Sequence, residues 1–288
     1  MNARARISLR GEKAVIATMH GKQRVIAPLL ERFLGLDATA PPGLDTDQFG
    51  TFARDVPRLG TPLEAARWKI RDGFALMPGA RIGVASEGSF GCHPAIPFVP
   101  WGHEWIVLQD RATGWEVTGQ HTGPARHFAH FQTSDLHAAL AFAHRVGFPR
   151  QGVIVMGVLE GVPSLAASLH KDCTTVDELA RVVTQVLARH AAVSVETDMR
   201  AHRNPLRMRC IRRAIIDLLR AFRSGCPSCG RPGFVVHRQV PGLACSSCGC
   251  PTRAVRSQTL RCHGCGYEED HPVPSSFADP AQCDRCNP

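Results

Sequence analysis

The chain has few aromatic residues, with a single tyrosine among 288 residues, and it lacks any long apolar run. No stretch approaches the roughly 18 apolar residues that a membrane-spanning helix needs. The basic segment over residues 1–10 is not followed by the apolar stretch of a secretory signal peptide. The sequence therefore predicts neither a signal peptide nor a membrane span, and the expected compartment is the cytoplasm.

Cysteine is scarce over residues 1–222, where three occur, and abundant after them. Eight of the twelve cysteines form four C-x-x-C pairs, separated by 15, 13 and 17 residues. In a reducing compartment such clusters indicate metal ligands rather than disulfides. Two thiolates on one tight turn supply half of a tetrahedral S4 site, so four turns predict two structural zinc ions. The predicted zinc ligands are Cys226, Cys229, Cys245, Cys248, Cys262, Cys265, Cys283 and Cys286.

The spacing leaves open how the four pairs combine. Sequential pairing, which joins Cys226/Cys229 with Cys245/Cys248, is favoured. A nested arrangement, which joins Cys245/Cys248 with Cys262/Cys265, is also sterically feasible. Under either arrangement, residues 223–288 are expected to form two zinc ribbons after a larger domain over residues 1–222.

The larger domain alternates strand-like and helix-like segments. Apolar runs predict buried strands over residues 13–18, 81–86, 153–158 and 192–197. Helical spacing predicts helices over residues 25–34, 135–146, 176–190 and 205–222, and Thr61-Pro62 is an N-terminal helix signature. Two short runs on either side of residues 110–114 predict a β-hairpin. This alternation predicts an α/β domain with a layered mixed sheet and flanking helices.

Residues 196–207 join a predicted strand to a predicted helix, a position where α/β proteins place their sites. The acids Glu196 and Asp198 could hold a hard cation such as Mg²⁺. Basic residues beside the positive N-terminus of the helix could bind phosphate. These are Arg200, His202 and Arg207. The alternative is a salt-bridged junction in which Asn204 caps the helix.

The turn over residues 18–22 also follows a strand and precedes a helix. Backbone N–H groups at a helix start, with a nearby ammonium group, suit an anion. The candidate anion ligands there are Thr18, His20 and Lys22. Glu64 and Lys69 share one predicted helix, and Glu87 follows a buried strand. An unpaired carboxylate at such a strand end is costly unless it binds a cation or accepts hydrogen bonds.

Two weaker candidates lie in loops. Asp45 and Asp47 either join the site or form an Asx-type turn. His121, His127 and His130 have irregular loop spacing, which favours solvated histidines over a metal cluster.

Five segments together resemble an uncharacterised bacterial family, a domain of unknown function, over nearly the whole chain. These segments are TMHGK, GLDTDQFGTF, ASEGSFG, ETDMRAH and the terminal CDRCNP. Residues 13–120 also distantly resemble the inosine-triphosphate pyrophosphatase-like superfamily (Maf/non-canonical NTPases). That likeness lies in the strand–turn–helix start, the spacing from Glu64 to Lys69, the acidic turn at Glu87 and the following hairpin.

The second resemblance implies a Mg²⁺-dependent enzyme that hydrolyses a nucleoside triphosphate to a nucleoside monophosphate and pyrophosphate. A related phosphate ester is the other expected class of substrate. Lys22 and Lys69 would bind phosphate oxygens, and Glu64 and Glu87 would hold the metal and orient water. Asp198 and His202 lie in the 196–207 segment, which has no counterpart in the superfamily. Together with Glu64 and Glu87 they are expected to form the catalytic set. The chain departs from the superfamily pattern at His20, where the superfamily has asparagine, and it has no second acid beside Glu87.

The charge distribution favours a different hypothesis. The formal net charge is +9, and residues 199–223 contain eight arginines against one acid, Asp217. The zinc-ribbon segment from Ser224 onward has six arginines and five acids and is nearly neutral. A basic stretch suits a phosphate-rich partner. The alternative function is therefore a non-enzymatic module that binds nucleic acid or a protein through Arg200–Arg223 and the ribbons.

Overall fold

The computed structural model describes residues 7–51, 56–58, 60–125 and 128–288. The chain forms two compact units. The first, the α/β unit, comprises Leu9–Gly114 and Thr118–Leu218. The second, the cysteine-rich unit, contains Trp115–Val117, Leu219–Pro288 and, among the described residues, residues 7–8. The predicted zinc-ribbon segment lies within the second unit.

The α/β unit contains a mixed five-stranded sheet, in agreement with the predicted fold class. Its strands are β1 (Lys13–Ile16), β2 (Asp37–Thr39), β3 (Ile82–Cys92), β4 (Pro100–Asp110) and β5 (Glu116–Pro124), in the order β2-β1-β3-β4-β5. Strand β1 runs parallel to β2 and β3, whereas β3 and β4 are antiparallel. The carboxyl ends of β1 and β3 therefore lie at the same edge of the sheet.

A second sheet, which the sequence did not predict as a separate layer, is antiparallel throughout. Its strands are β6 (His130–Thr133), β7 (Val153–Leu159), β8 (Val162–His170) and β9 (Val193–Thr197), in the order β6-β9-β7-β8. The apolar runs of β7 and β9 predicted those strands. Strand β8 gave no comparable signal, because most of its side chains are half-buried and it contains Pro163.

The helices are α1 (Gln23–Leu34), α2 (Pro62–Leu76), α3 (Leu136–Val146), α4 (Val176–Leu187) and α5 (Pro205–Arg223). Helix α2 begins with a capping box, in which Thr61 Oγ1 accepts from the Glu64 N–H and the Glu64 carboxylate accepts from the Thr61 N–H. Thr175 and Glu178 repeat this arrangement at α4. Such boxes satisfy N–H groups that have no partner inside the helix.

Each sheet has its own apolar core. Helix α2 packs on the mixed sheet through Ala66 and Ile70, which contact Ala85 and Val107. A side chain at Gly83 would collide with Ile70 and Phe74, so only glycine allows this close packing. Helices α3 and α4 cover one face of the second sheet. Burial of each large aliphatic side chain contributes about 1.5–3 kcal/mol.

The cysteine-rich unit contains an antiparallel three-stranded sheet. Its strands are β10 (Val235–Pro241), β11 (Val255–Arg261) and β12 (Glu268–Pro272), in that order. Many side chains of its strands are exposed, and one buried cluster of the unit contains Phe234 with Cys226 and Cys262.

Candidate functional site

Several segments of the α/β unit meet in a basic pocket. The turn after β1 supplies His20 and Lys22, α2 supplies Lys69, and β3 supplies Glu87. The lining consists of His20, Lys22, Asp47, Gly50, Thr51, Lys69, Glu87, Lys171, Arg200 and Arg207. Five cationic side chains and two carboxylates therefore face one space. This excess of positive charge suits an anion. The interior is narrow, about 20 Å³, which is room for a water molecule.

A buried ion pair joins two predicted site residues. Lys69 Nζ donates to Glu87 Oε1, and the two side chains are 7% and 4% exposed. Arg58 Nη2 lies 3.4 Å from Glu87 Oε2. Burial raises the pKa of Glu87, but the charges of Lys69 and Lys22 outweigh that effect, and the net pKa lies below its usual value. Glu87 is therefore a carboxylate at neutral pH, held by cations of the protein.

Lys22 is buried, and its Nζ donates to the backbone oxygen of Ser86 at 2.6 Å. Burial is the main reason that the pKa of Lys22 falls to about 7. The Glu87 carboxylate opposes this shift, whereas Arg207 and Lys69 add to it. Near neutral pH, Lys22 is thus close to the point at which it exchanges its proton.

Arg207 is almost completely buried on α5 and forms an ion pair with Glu104 of β4. Asn204 caps the helix, because its Oδ1 accepts from the Arg207 N–H at 2.9 Å. This confirms the predicted cap. Glu104 leaves no room for a side chain at Gly88, where a Cβ would lie 2.6 Å from Glu104 Oε1. The packing of β3 and β4 thus positions Arg207.

Two carboxylates hold Arg200. Its Nη2 lies 2.7 Å from Asp198 Oδ2 and 2.7 Å from Asp172 Oδ1. The Asp198 side chain is completely buried and also accepts from the Arg200 backbone N–H. Asp198, predicted as a magnesium ligand and a catalytic residue, forms this ion pair and so positions Arg200 at the pocket.

His20 and Asp47 form a dyad in the lining. His20 Nε2 lies 2.9 Å from Asp47 Oδ1, and this hydrogen bond is the largest cause of a lowered Asp47 pKa. The His20 ring stacks on that of His202, with centroids 5.1 Å apart. Burial lowers the pKa of His202, and the neighbouring His20 and Arg200 act in the same direction. A carboxylate that orients a histidine is a common arrangement for proton transfer.

Five predicted residues do not line the basic pocket. Two of them lie beside it, Asp198 in an ion pair with Arg200 and His202 stacked on His20. The other three are Glu64, Thr18 and Glu196. Glu64 is exposed and serves the capping box of α2, because its carboxylate accepts from Thr61. Thr18 Oγ1 accepts from the His20 N–H at 3.3 Å and so shapes the turn. Glu196 lines a neighbouring groove. In the sequence, a glutamate three residues after a threonine is the signature of a capping box, and Thr61 and Glu64 have this spacing.

Four residues that the sequence analysis did not assign to the site either line the pocket or form ion pairs with residues that line it. They are Asp47, Lys171, Arg58 and Glu104. The predicted Asx turn is present, since Asp45 Oδ1 accepts from the Asp47 N–H at 2.9 Å. Lys171 follows β8, the strand without a clear signal. Of the three histidines predicted to lie in loops, His121 lies on β5 and His130 on β6, whereas His127 lies outside the described residues.

The described carboxylates that line the pocket, Asp47 and Glu87, and those that hold its arginines, Asp198 and Glu104, do not assemble a Mg²⁺ site. Glu87, Asp198 and Glu104 are each held by a lysine or an arginine, and Asp47 is paired with His20. Within the described ranges, the groups of three or more His, Cys, Asp or Glu residues that could hold a metal ion are the two cysteine quartets. Magnesium therefore has no preformed set of oxygen ligands here.

The two quartets have the geometry of zinc centres. Sγ atoms of Cys226 and Cys265 lie 3.7 Å apart, and those of Cys245 and Cys286 lie 3.8 Å apart. A tetrahedral site with Zn–S bonds of about 2.3 Å has edges of about 3.8 Å. The cysteine pairs would therefore hold two structural metal ions, with zinc the metal that fits four thiolates.

The same backbone turn presents each pair of thiolates. The first cysteine accepts through its carbonyl from the N–H four residues later, at 2.9 Å for Gly230 and 3.0 Å for Gly249. Gly230, Gly249 and Gly266 all adopt positive φ, which glycine tolerates. Asn287 holds this position in the fourth turn, with a distance of 2.8 Å to the Cys283 carbonyl.

The predicted sequential pairing is wrong, and so is the nested alternative. The first pair joins the third, giving Cys226, Cys229, Cys262 and Cys265, and the second joins the fourth, giving Cys245, Cys248, Cys283 and Cys286. Strand direction explains this. Val235 pairs with Arg261, so the first and third turns lie at one end of the sheet. Ser257 pairs with Pro272, which sends the chain back toward the other end, where the second turn lies.

None of the described helices is both long enough and apolar enough to span a bilayer. The fold and the cysteine quartets define a two-unit α/β protein with candidate zinc centres. The family model described as "Domain of unknown function (DUF6671)" matches residues 74–288. The chain therefore belongs to this family. The match includes both quartets and begins within α2, after Lys69.

Comparison with curated proteins found no match. The family match supports the predicted family of unknown function, over a shorter part of the chain than expected. It does not bear on a bacterial source or on the distant resemblance to inosine-triphosphate pyrophosphatases, which stays a prediction.

Proposed function

We propose that this chain is a phosphohydrolase that binds a nucleotide or a related phosphate ester in the basic pocket. The main support is the convergence of Lys22, Lys69, Lys171, Arg200 and Arg207 on one space. These side chains come from separate segments, so the tertiary structure brings their charges together. Fixed cations stabilise the charge on a transferring phosphoryl group, which is the largest task in this chemistry.

The narrow interior sets a condition on binding. A phosphate group is larger than the water-sized space, so its oxygens must replace carboxylates that now neutralise the cations. Glu87 leaves Lys69, or Asp172 leaves Arg200, as the anion enters. Asp172 is the more exposed of these two partners, with 58% of its side chain accessible. The ion pairs thus keep the cations in place until the anion arrives.

His20 is the proposed acid–base residue. Its Nε2 contacts Asp47, which orients the ring beside the cations. In the proposed reaction water attacks phosphorus, the bond from phosphorus to the leaving oxygen breaks, and His20 takes the proton of the water. The leaving oxygen receives a proton from His20 or from solvent. General acid–base catalysis of this kind contributes about 10²–10⁴-fold in rate.

The proposed reaction does not use a magnesium ion bound by the protein. The paired carboxylates do not fit a resident Mg²⁺ site, and no step is assigned to one. Glu64, exposed in the capping box, is not part of the proposed mechanism. Two zinc ions fit the cysteine quartets, where they would stabilise the cysteine-rich unit by about 10–16 kcal/mol each.

The test is hydrolysis of a panel of nucleotides and phosphate esters by the full chain, with Mg²⁺, with Mn²⁺ and with a magnesium chelator. His20→Asn is expected to lower turnover about 10²-fold or more. Lys69→Met is expected to weaken binding of substrate and of pyrophosphate. Arg71→Met, an exposed position on α2 that is 70% accessible, is the matched control. The proposal fails if no substrate is hydrolysed, or if His20→Asn hydrolyses as fast as Arg71→Met.

A second candidate function is binding to nucleic acid through α5. Arg209, Arg212 and Arg213 are exposed on this helix, whereas Arg200 and Arg207 are held in ion pairs at the pocket. Contacts between arginines and phosphates release counterions, so binding weakens steeply with salt. This function requires salt-dependent binding of RNA or DNA that is lost when Arg209, Arg212 and Arg213 are all changed to glutamine.

A further inference from the structure

The hairpin that joins β3 to β4 has an exposed apolar tip. The two strands pair as far as Cys92 and Pro100, and residues 93–99 form the turn between them. Residues 94–98 of this turn are all apolar and all exposed, and Phe98 is 87% exposed. A contiguous apolar patch on a protein surface often marks a contact with another protein or with a membrane. The tip is therefore a candidate contact surface of the α/β unit.

The sequence around the tip carries no charge. Residues 88–103 contain no aspartate, glutamate, lysine or arginine. The acids on either side of this range, Glu87 and Glu104, are buried in ion pairs with Lys69 and Arg207. Burial of a charge in an apolar phase is costly, and this segment has no charge to bury. The absence of acids also removes repulsion from a negatively charged surface.

The backbone of the turn satisfies most of its own hydrogen bonds. Three residues have no N–H group, namely Pro94, Pro97 and Pro100. The His93 N–H donates to the Val99 oxygen at 2.8 Å, and the Val99 N–H donates to the Ile96 oxygen at 3.0 Å. His93 Nδ1 accepts from the N–H groups of Ala95 and Ile96, both at 3.1 Å. In hydrocarbon a backbone group needs a partner within the protein, so this turn suits an apolar surrounding.

Trp101 lies at the base of the tip, three residues after Phe98. It is half-buried at the start of β4, and its ring packs edge-on against that of His93, with centroids 4.5 Å apart. Tryptophan favours the headgroup level of a bilayer, because its ring is apolar and its N–H is polar. The order from Phe98 to Trp101 therefore matches the change from acyl chains to headgroups.

Exposed arginines lie at the same end of the sheet as the tip. Gly102, which follows Trp101 on β4, and Cys210 of α5 line one small space. Arg213 Nη1 lies 3.4 Å from His121 Nε2 of β5. These contacts place the first half of α5, with the exposed Arg209 and Arg213, beside the base of the hairpin. Anionic lipid headgroups attract cations in such a position.

We infer that the β3–β4 turn inserts into the surface of a bilayer that contains anionic lipid, with Phe98 and Ile96 among the acyl chains and the α5 arginines at the lipid phosphates. An apolar segment and a basic patch together give a stable membrane contact, whereas one of them alone gives a marginal contact. The arginines alone would suit a nucleic acid, but an uncharged apolar tip beside them suits lipid. This contact does not depend on the proposed phosphohydrolase activity.

Co-sedimentation of the full chain with vesicles tests this. Binding to vesicles of phosphatidylcholine and phosphatidylserine is expected to be about tenfold or more tighter than binding to phosphatidylcholine alone. A variant with both Ile96→Ser and Phe98→Ser is expected to bind the mixed vesicles about tenfold or more weakly, with an unchanged melting temperature. Leu76→Ser is the matched control, because Leu76 is 49% exposed at the end of α2. It is expected to bind as the wild type does.

Tryptophan fluorescence locates the contact. Brominated lipid is expected to quench the emission of the wild type, and Trp101→Phe is expected to lose most of this quenching while it still sediments with the vesicles. Quenching of Trp101→Phe equal to that of the wild type would place the contact elsewhere and overturn the inference.

Three further results would overturn it. The first is a wild type that binds neither kind of vesicle. The second is a double serine variant that binds as tightly as Leu76→Ser, in which case Arg209 and Arg213 hold the lipid without the tip. The third is a wild-type dimer, seen by sedimentation equilibrium without lipid, that the double serine variant does not form. A second copy of the chain would then cover the tip.

Discussion

Lys69 donates to Glu87 inside the α/β unit, and almost no solvent reaches either side chain. Removal of one member of a buried pair leaves an uncompensated charge and costs about 3–5 kcal/mol of stability. Lys69→Met and Glu87→Gln are each expected to lower the free energy of unfolding by this amount in urea denaturation. The double variant is expected to recover a large part of the loss. If the double variant loses as much stability as the two single variants together, Lys69 and Glu87 do not stabilise each other.

The same two variants have opposite effects on anion binding in the proposed mechanism. Lys69→Met removes a cation and is expected to weaken pyrophosphate binding about tenfold or more, which corresponds to about 1.4 kcal/mol. Glu87→Gln removes the carboxylate that competes with the anion and is expected to strengthen binding. Weaker binding of pyrophosphate by Glu87→Gln, measured with and without Mg²⁺, would favour the metal-ligand role that the sequence predicted.

Lys22 is expected to make stability depend on pH. In the unfolded chain its pKa is about 10.4, whereas in the folded protein it is about 7. Between these values the unfolded state binds more protons, so the free energy of unfolding rises with pH by up to about 1.4 kcal/mol per pH unit. The free energy of unfolding of Lys22→Met is expected to lack this dependence on pH.

The measurement is urea denaturation of both proteins from pH 6 to pH 10. The stability of the wild type relative to Lys22→Met is expected to be flat below pH 7 and to rise above it. Lys13→Met, at the exposed start of β1, controls for the loss of a lysine. Parallel pH profiles for the wild type and Lys22→Met would show that Lys22 titrates normally.

The interleaved quartets predict which thiols each cysteine substitution exposes. Cys226→Ser is expected to reduce the zinc content from two ions to one and to leave Cys229, Cys262 and Cys265 reactive toward an alkylating reagent. Cys245 and Cys248 remain protected, because they belong to the other site. Sequential pairing would instead expose Cys245 and Cys248. Mass spectrometry of the alkylated peptides distinguishes the two results.

Gly88 and Gly91 on β3 form a matched pair of substitutions. A Cβ at Gly88 would meet Glu104, which holds Arg207, whereas a Cβ at Gly91 has no neighbour within 4 Å among the described residues. Gly88→Ala is expected to destabilise the protein by about 1–3 kcal/mol through overpacking and to weaken pyrophosphate binding. Gly91→Ala is expected to change neither by much. Equal behaviour of the two variants would contradict the proposed positioning of Arg207.

Glu64→Ala tests the role of the α2 capping box. The variant is expected to lower the melting temperature slightly, because the Thr61 N–H loses its acceptor. Turnover and anion binding are expected to stay at the level of the wild type. A large loss of turnover with an unchanged melting temperature would restore Glu64 to the site.

Local signals predicted several parts of the site. The segments around Lys22, Glu87 and Arg200 were identified because polar residues follow apolar strands, and parallel β1 and β3 place two of them at one sheet edge. The sequence did not identify Glu104, because it lies in the middle of a strand and its partner Arg207 is 103 residues away. Lys171 follows a strand with no clear pattern.

The sequence by itself determined the α/β class, the caps of the helices and the eight predicted zinc ligands, since each depends on neighbours a few residues apart. The tertiary structure decided how distant segments meet. Glu87 lies against Lys69 because α2 packs across β3, and this pair turns a predicted metal ligand into a counterion. The cysteine quartets interleave because β10, β11 and β12 alternate in direction, which spacing along the chain does not specify.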